Sequence, residues 1–132
     1  MTSRRAFLHT LGIGFAATAI GLPALAAEPK PFDASAFAAA QAAGKPILVE
    51  VTAPWCPTCK AQKPILSGLA SKPKFKDLVT FQIDFDSQKD LLKKFDVFMQ
   101  STLIAFKGAK ETGRSTGDTN AASIEALLDK TV

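Results

Sequence analysis

Cys56 and Cys59 are the only cysteines in 132 residues, and they stand in the run Trp55-Cys56-Pro57-Thr58-Cys59-Lys60. Sulfur at this spacing can serve as a structural staple, as half of a metal site, or as a dithiol that opens and closes. The staple is the weakest use, because a bridge across so short a loop removes almost no entropy from the unfolded chain. A tetrahedral metal centre needs two further ligands. The chain has no third cysteine, and its one histidine, His9, lies near the N-terminus. A second copy could supply the missing donors, so a dimeric metal or iron–sulfur site stays open. So does a redox-regulated interaction module that turns over nothing. The remaining use is dithiol–disulfide exchange, whose attacking species is the thiolate.

The compartment bears on that choice. "MTSRRAFLHT" is basic, "LGIGFAATAIGLPAL" is apolar but broken by glycines and a proline, and Ala24-Leu25-Ala26 offers a small-x-small cleavage site. Residues 1–26 therefore read as a cleaved signal peptide, with no membrane span left in the mature domain, 27–132. "SRRAFL" resembles the twin-arginine export motif, although ordinary secretion fits as well. Export places the cysteines where disulfides persist, in the periplasm or beyond. It also removes His9, and with it Cys–His catalysis, Ser-His-Asp triads and histidine ligation of a metal.

Composition allows one domain with a real core, 47% of residues being hydrophobic. Arg4 and Arg5 leave with the leader, which cuts the basic surplus from four to two. That is too little to mark a nucleic-acid binder. The lysines of "SKPKFK" (71–76) read as a solvated turn.

The elements that must position the cysteines follow from periodicity. "EPKP" (28–31) is an extended entry. A helix over about 34–43 has Asp33 as N-cap, Phe37 on its buried side and Gly44 as its stop. "ILVEV" (47–51) is a strand apolar on both faces except at Glu50, as a covered central strand should be. "CKAQKPILSGLA" is a helix interrupted by Pro64. "LVTFQIDFD" (78–86) alternates, with Val79, Phe81, Ile83 and Phe85 on one face. Ser87 caps a helix over 87–97 that carries Leu91, Leu92 and Phe95. Strands at 102–106 and 111–116 form a hairpin, and Asn120 caps a final helix over 120–130 with Ile124, Leu127 and Leu128 buried. Phe81, Phe85, Phe95 and Phe106 are core. The expected architecture is α/β: a four-stranded mixed sheet with helices on both faces and one right-handed parallel crossover.

Residues 33–132 resemble the thioredoxin superfamily. "ILVEVTAPWCPTCKAQKPIL" is similar to the family's strand, W-C-x-x-C motif, following lysine and kinking proline, all in register. "TLIAFKGAKETGRSTGDTN" is similar to its hairpin, with Gly117 where a glycine precedes the last helix. A C-x-x-C pair beside a strand–helix–strand pattern carries the same signal.

The resemblance implies roles. Cys56 at a helix N-terminus would meet unpaired N–H groups and the positive end of the helix dipole, both favouring thiolate. It would be the exposed nucleophile, and Cys59, one turn deeper, the resolving thiol. Pro57 has no N–H to offer the sulfur and Thr58 no positive charge, which argues for moderate activation and a reductant rather than a strong oxidant. Glu50 is either a solvated residue of an edge strand or the family's buried acid beneath the active site, raised in pKa and carrying the proton of Cys59. In the second case Gln82 holds the place of a lysine often found nearby. Trp55 is expected as a half-exposed ring over the sulfurs. Thr52 stands where the family often has an aromatic residue. The largest departure is Ser101, in "MQSTLIAF", at the position of a cis-proline. A cis bond to a non-proline residue costs about 2.5–4 kcal/mol, so Met99-Gln100-Ser101 should adopt a trans or strained loop. With Trp55, Pro57 and Thr58, the residues Gln100, Ser101 and Thr102 would dock the substrate or shield the thiols. The implied protein is an exported monomeric thiol–disulfide oxidoreductase without an organic cofactor. Its partners are protein disulfides or dithiols, and a membrane-embedded thiol carrier supplies its electrons.

Overall fold

The computed structural model describes residues 18, 20–22 and 25–132. The expected leader, with Arg4, Arg5 and His9, lies largely outside the described residues. Among these residues no helix is long and apolar enough to cross a membrane.

The elements run β1 (Lys30–Pro31), α1 (Ala34–Ala42), β2 (Pro46–Thr52), α2 (Pro57–Ala70), β3 (Val79–Asp84), α3 (Lys89–Lys94), β4 (Thr102–Lys107), β5 (Lys110–Thr116) and α4 (Ala121–Asp129), with a 3-10 turn at Pro73–Phe75. They build one mixed sheet in the order β1-β3-β2-β4-β5. The sheet has five strands rather than the expected four, because "EPKP" is more than an entry. Lys30 and Pro31 pair in parallel with Phe81 and Gln82 of β3, and the Phe32 amide donates to Gln82 O at 2.8 Å. Proline is tolerated there because the strand lies at the sheet edge.

β2 is the central strand, parallel to β3 and antiparallel to β4. Alternation sends Ile47, Val49 and Val51 to one face, where they pack with Phe37, Phe81, Leu92, Phe95 and Phe106. Leu48 goes to the other, against Leu66 and Leu69 of α2 and Ile124, Leu127 and Leu128 of α4. Helices α1 and α3 thus cover one face, and α2 and α4 the face that carries the cysteine helix.

The first face is an aromatic cluster. The Phe37 ring meets Phe81, Phe95 and Phe106 edge-on, at centroid distances of 5.7, 5.5 and 5.4 Å. Phe37→Ala removes the hub of this cluster and should cost about 3–5 kcal/mol of stability. Urea unfolding checks it, with a lower midpoint at unchanged slope. Phe85 differs from the other expected core rings: it is half-buried, with Lys89 Nζ 4.4 Å above it.

Caps set most helix ends. Asp33 accepts from the Ala36 amide at 2.7 Å, and Asn120 from Ser123 at 3.0 Å. Gly44 follows α1 with φ +69°, a left-handed position suited to glycine. Ser87 does not cap α3. Its amide and hydroxyl both donate to Asp84 Oδ1, so Gln88 takes the cap position and the helix is shorter than 87–97. Gly113 lets α4 approach β5 closely: a Cβ there would lie 2.9 Å from Leu127 Cδ1. The 71–76 segment is a turn with exposed lysines, as expected, and Lys72 and Lys74 also make surface ion pairs. Both contact Glu125 at 2.8 Å and hold its carboxyl down to about 2.

Candidate active site

The strand that ends at Thr52 delivers the chain directly into α2. The Cys56 amide donates to Ala53 O at 3.2 Å, turning the chain, and Cys56 becomes the N-cap of α2 with extended backbone (φ −84°, ψ 110°). Its Sγ accepts the Cys59 amide at 3.1 Å. Pro57 occupies the first helical position, where a missing N–H costs nothing. The expected electrostatics are therefore in place: the first sulfur lies at the positive end of a 14-residue helix. Cys56 and Cys59 are joined as a disulfide, with Cα atoms 5.3 Å apart.

Exposure departs from expectation. Cys56 is 1% exposed and Cys59 3%, so the first cysteine is not the open one in this oxidised pair. The cause is local. Cys56 Sγ turns back towards the helix to accept an amide, and the two cysteines cluster with Ala53 and partly buried Phe85. What distinguishes the sulfurs is the N-cap position, not access. Pro57 is exposed and Thr58 half-buried. Trp55 is 55% exposed, and its indole N–H donates to Asp86 at 2.7 Å, which anchors the ring to the turn after β3.

Glu50 is 3% exposed in the central strand, which removes the edge-strand reading. It shares a face with Leu48 and Thr52, and Thr52 lines an open cleft of about 310 Å³ together with Cys59, Lys60, Lys63 and Asp84. The buried acid thus lies one pleat below the cleft that reaches the second cysteine. Burial raises the Glu50 pKa, and the Gln82 amide, donating at 3.2 Å, and the charge of Lys63 partly oppose that rise. Gln82 is its β3 neighbour in register.

Ser101 is buried, its preceding peptide bond is trans, and its φ is +59°, in the left-handed region. The backbone is held from both ends. Its amide donates to Val51 O at 2.8 Å, and its carbonyl accepts the Gly117 amide at 3.1 Å. The Ser101 hydroxyl donates to the carbonyl of half-buried Gln100. Thr102 is buried, donating to Met99 O at 2.8 Å and paired with the Thr116 hydroxyl at 3.1 Å. The segment before Ser101 exposes two large apolar side chains, Phe98 at 83% and Met99 at 52%.

One residue of this region had not been singled out: Gln62, fully buried on α2, whose amide donates to Ser101 O at 3.2 Å and Asp118 O at 2.8 Å. The signal was present as a polar side chain on the buried stripe Cys59, Gln62, Leu66, Leu69. Among the described residues no cluster of three or more His, Cys, Asp or Glu is placed to hold a metal.

Comparison with known proteins agrees with this geometry. The thioredoxin family model matches residues 28–130. Thioredoxin-2 of Saccharomyces cerevisiae is 34% identical over 95 residues, 71% of this chain and 89% of that protein. The bifunctional thioredoxin reductase/thioredoxin of Mycobacterium leprae is 33% identical over 70% of this chain, which spans only 20% of that longer protein. The crystal structure of Trxlp from Edwardsiella tarda EIB202 superposes with a TM-score of 0.73 at 42% identity, covering 76% of this chain and 97% of that one. With a closed Cys-x-x-Cys pair at the head of a helix in this fold, the chain belongs to the thioredoxin family of thiol–disulfide oxidoreductases.

Proposed function

We propose that this protein is an exported reductant of protein disulfides, acting in the periplasm or a comparable compartment after loss of residues 1–26. The reduced Cys56 thiolate attacks one sulfur of a client disulfide. That bond breaks, one client thiolate leaves, and a mixed disulfide remains. Cys59 passes its proton to Glu50 and attacks Cys56 Sγ. The second client thiolate departs and regains the proton, leaving the client reduced by two electrons and the Cys56–Cys59 pair oxidised. No organic cofactor takes part. A thiol carrier in the membrane restores the dithiol, and the domain works as a monomer.

The observation that carries the direction is the N-cap of α2. The sulfur receives one backbone N–H, while Pro57 and Thr58 add no positive charge. A thiolate stabilised only this far keeps its nucleophilicity and does not make the reduced form unusually stable. Equilibration with glutathione should give a potential nearer the thioredoxin value of about −270 mV than the strongly oxidising value of about −120 mV. A result at the oxidising end refutes the reductant reading. N-terminal sequencing of the exported protein should begin at Ala27.

Glu50→Gln separates the proton carrier from the fold, because the amide keeps the shape. Resolution by Cys59, read as decay of the mixed disulfide, should slow about 10²-fold. Stability should move the other way. With its folded pKa raised, Glu50 favours the native state below the ordinary carboxylate pKa, and that contribution is lost as pH rises through the folded value. The variant should therefore be at least as stable as the parent at pH 7 and lack that pH slope. Unchanged resolution takes Glu50 out of the mechanism.

A further inference from the structure

Gln62 joins the cysteine helix to two backbone segments, at Ser101 and at Asp118. It sits one turn after Cys59 on α2, with no exposed surface. Its amide nitrogen spans the carbonyls of Ser101 and Asp118, at 3.2 and 2.8 Å. The Ser101 carbonyl also takes the Gly117 amide, and the Ser101 amide is tied to Val51 at the end of β2. The segment carrying Phe98 and Met99 is thereby fastened on one side to the strand that runs into the cysteines and on the other to the helix that starts with them.

The orientation of the Gln62 amide is settled by its neighbours. Both facing groups are carbonyls, so both need a donor, and the NH2 must point at them. The oxygen is left buried without a hydrogen-bond partner. A residue selected only for packing on this stripe would be apolar, like Leu66 and Leu69 on either following turn. Ser101, meanwhile, holds φ +59°, a region that non-glycine residues leave unless the surroundings hold them there. An amide kept at the cost of an orphaned oxygen, and a strained serine whose carbonyl it grips, are two ends of one device.

We infer that Gln62 is a positioning residue for protein clients. Its amide clamps the Ser101 backbone and so holds the exposed Phe98–Met99 edge in register with the Cys56–Cys59 pair. The clamp acts on docking of a protein disulfide and leaves the intrinsic reactivity of the sulfurs alone. This rests on the reductant reading above, in which a client surface must meet the cysteine helix and the neighbouring loop together.

The test uses the full domain with insulin as protein disulfide and dithiothreitol as electron source, and the pre-reduced domain, freed of dithiothreitol, with DTNB as a small disulfide that needs no docking surface. Gln62→Met keeps the length and removes both donors. Its KM for insulin should rise about tenfold with kcat within about twofold, while its rate with DTNB stays within about twofold of the parent. Parallel losses on both disulfides, or an unchanged insulin KM, overturn the inference. Ser101→Gly supplies the second arm, because glycine takes φ +59° without a clamp. In that background Gln62→Met should raise the insulin KM by less than half as much; simple additivity also overturns it. If the methionine variant does not fold, Gln62→Asn, whose shorter amide cannot span both carbonyls, is held to the same split of KM against kcat. A parent inactive on insulin refutes the reductant reading, not the clamp. The same ratios are then read with reduced ribonuclease as the protein dithiol and oxidised glutathione as the electron acceptor.

Discussion

The Cys59→Ser protein, reduced and mixed with a disulfide-bonded protein, should accumulate as a covalent one-to-one adduct, and multiple turnover should fall to the level of dithiothreitol alone. The first attack needs only a thiolate at the head of α2, where the amide of residue 59 still points at Cys56 Sγ. The second needs a sulfur one turn along, which serine does not supply. Non-reducing electrophoresis reads the adduct, and mass spectrometry of the trapped species names the clients. Cys56→Ser should give no adduct. Because the two sulfurs are almost equally buried in the oxidised pair, this contrast rests on the N-cap alone. Equal trapping by both variants would assign the attack to neither and remove the electrostatic argument.

Ser101→Pro should destabilise this protein, although proline is what the family resemblance leads one to expect there. Proline fixes φ near −65°, and the chain holds this residue at +59°. Proline also lacks the N–H that Ser101 donates to Val51 O, leaving a central-strand carbonyl unpaired. Misfit and orphaned carbonyl together amount to roughly 2–4 kcal/mol. A thermal melt and protein-disulfide turnover measure the result, and both should fall. A variant as stable and as active as the parent would show that the loop moves freely between two backbone paths.

How far the chain could be read in advance depended on whether the determining contacts were local. Asp33 and Asn120 announced their helices because a cap is a contact with a residue three places on. Leu48, Glu50 and Thr52 announced their face because a strand alternates. Ser87 misled for the opposite reason. It is a good cap by type, but Asp84, three residues back, takes both of its donors. β1 was hidden in "EPKP" because a two-residue parallel pairing has no periodicity and exists only through β3, some fifty residues away. The candidate site divided along the same line. The cysteines and Glu50 stood out by type and spacing. Gln62 did not, because a glutamine within a helix looks like surface until Ser101 and Asp118 are brought to it. Burial of Cys56 in the oxidised pair was not legible, because it depends on where a closed disulfide turns its first sulfur.

The two rims of the sheet carry a consequence for the protein at high concentration. One rim is only Lys30–Pro31, too short to template another chain and with a proline that cannot donate. The other, β5, bears Lys110, Glu111 and Arg114, and an irregular register against β4 between Ala105 and Phe106. Charge, proline and irregularity all discourage a foreign strand from adding on. A protein that exchanges disulfides with other chains thus offers them little backbone on which to polymerise.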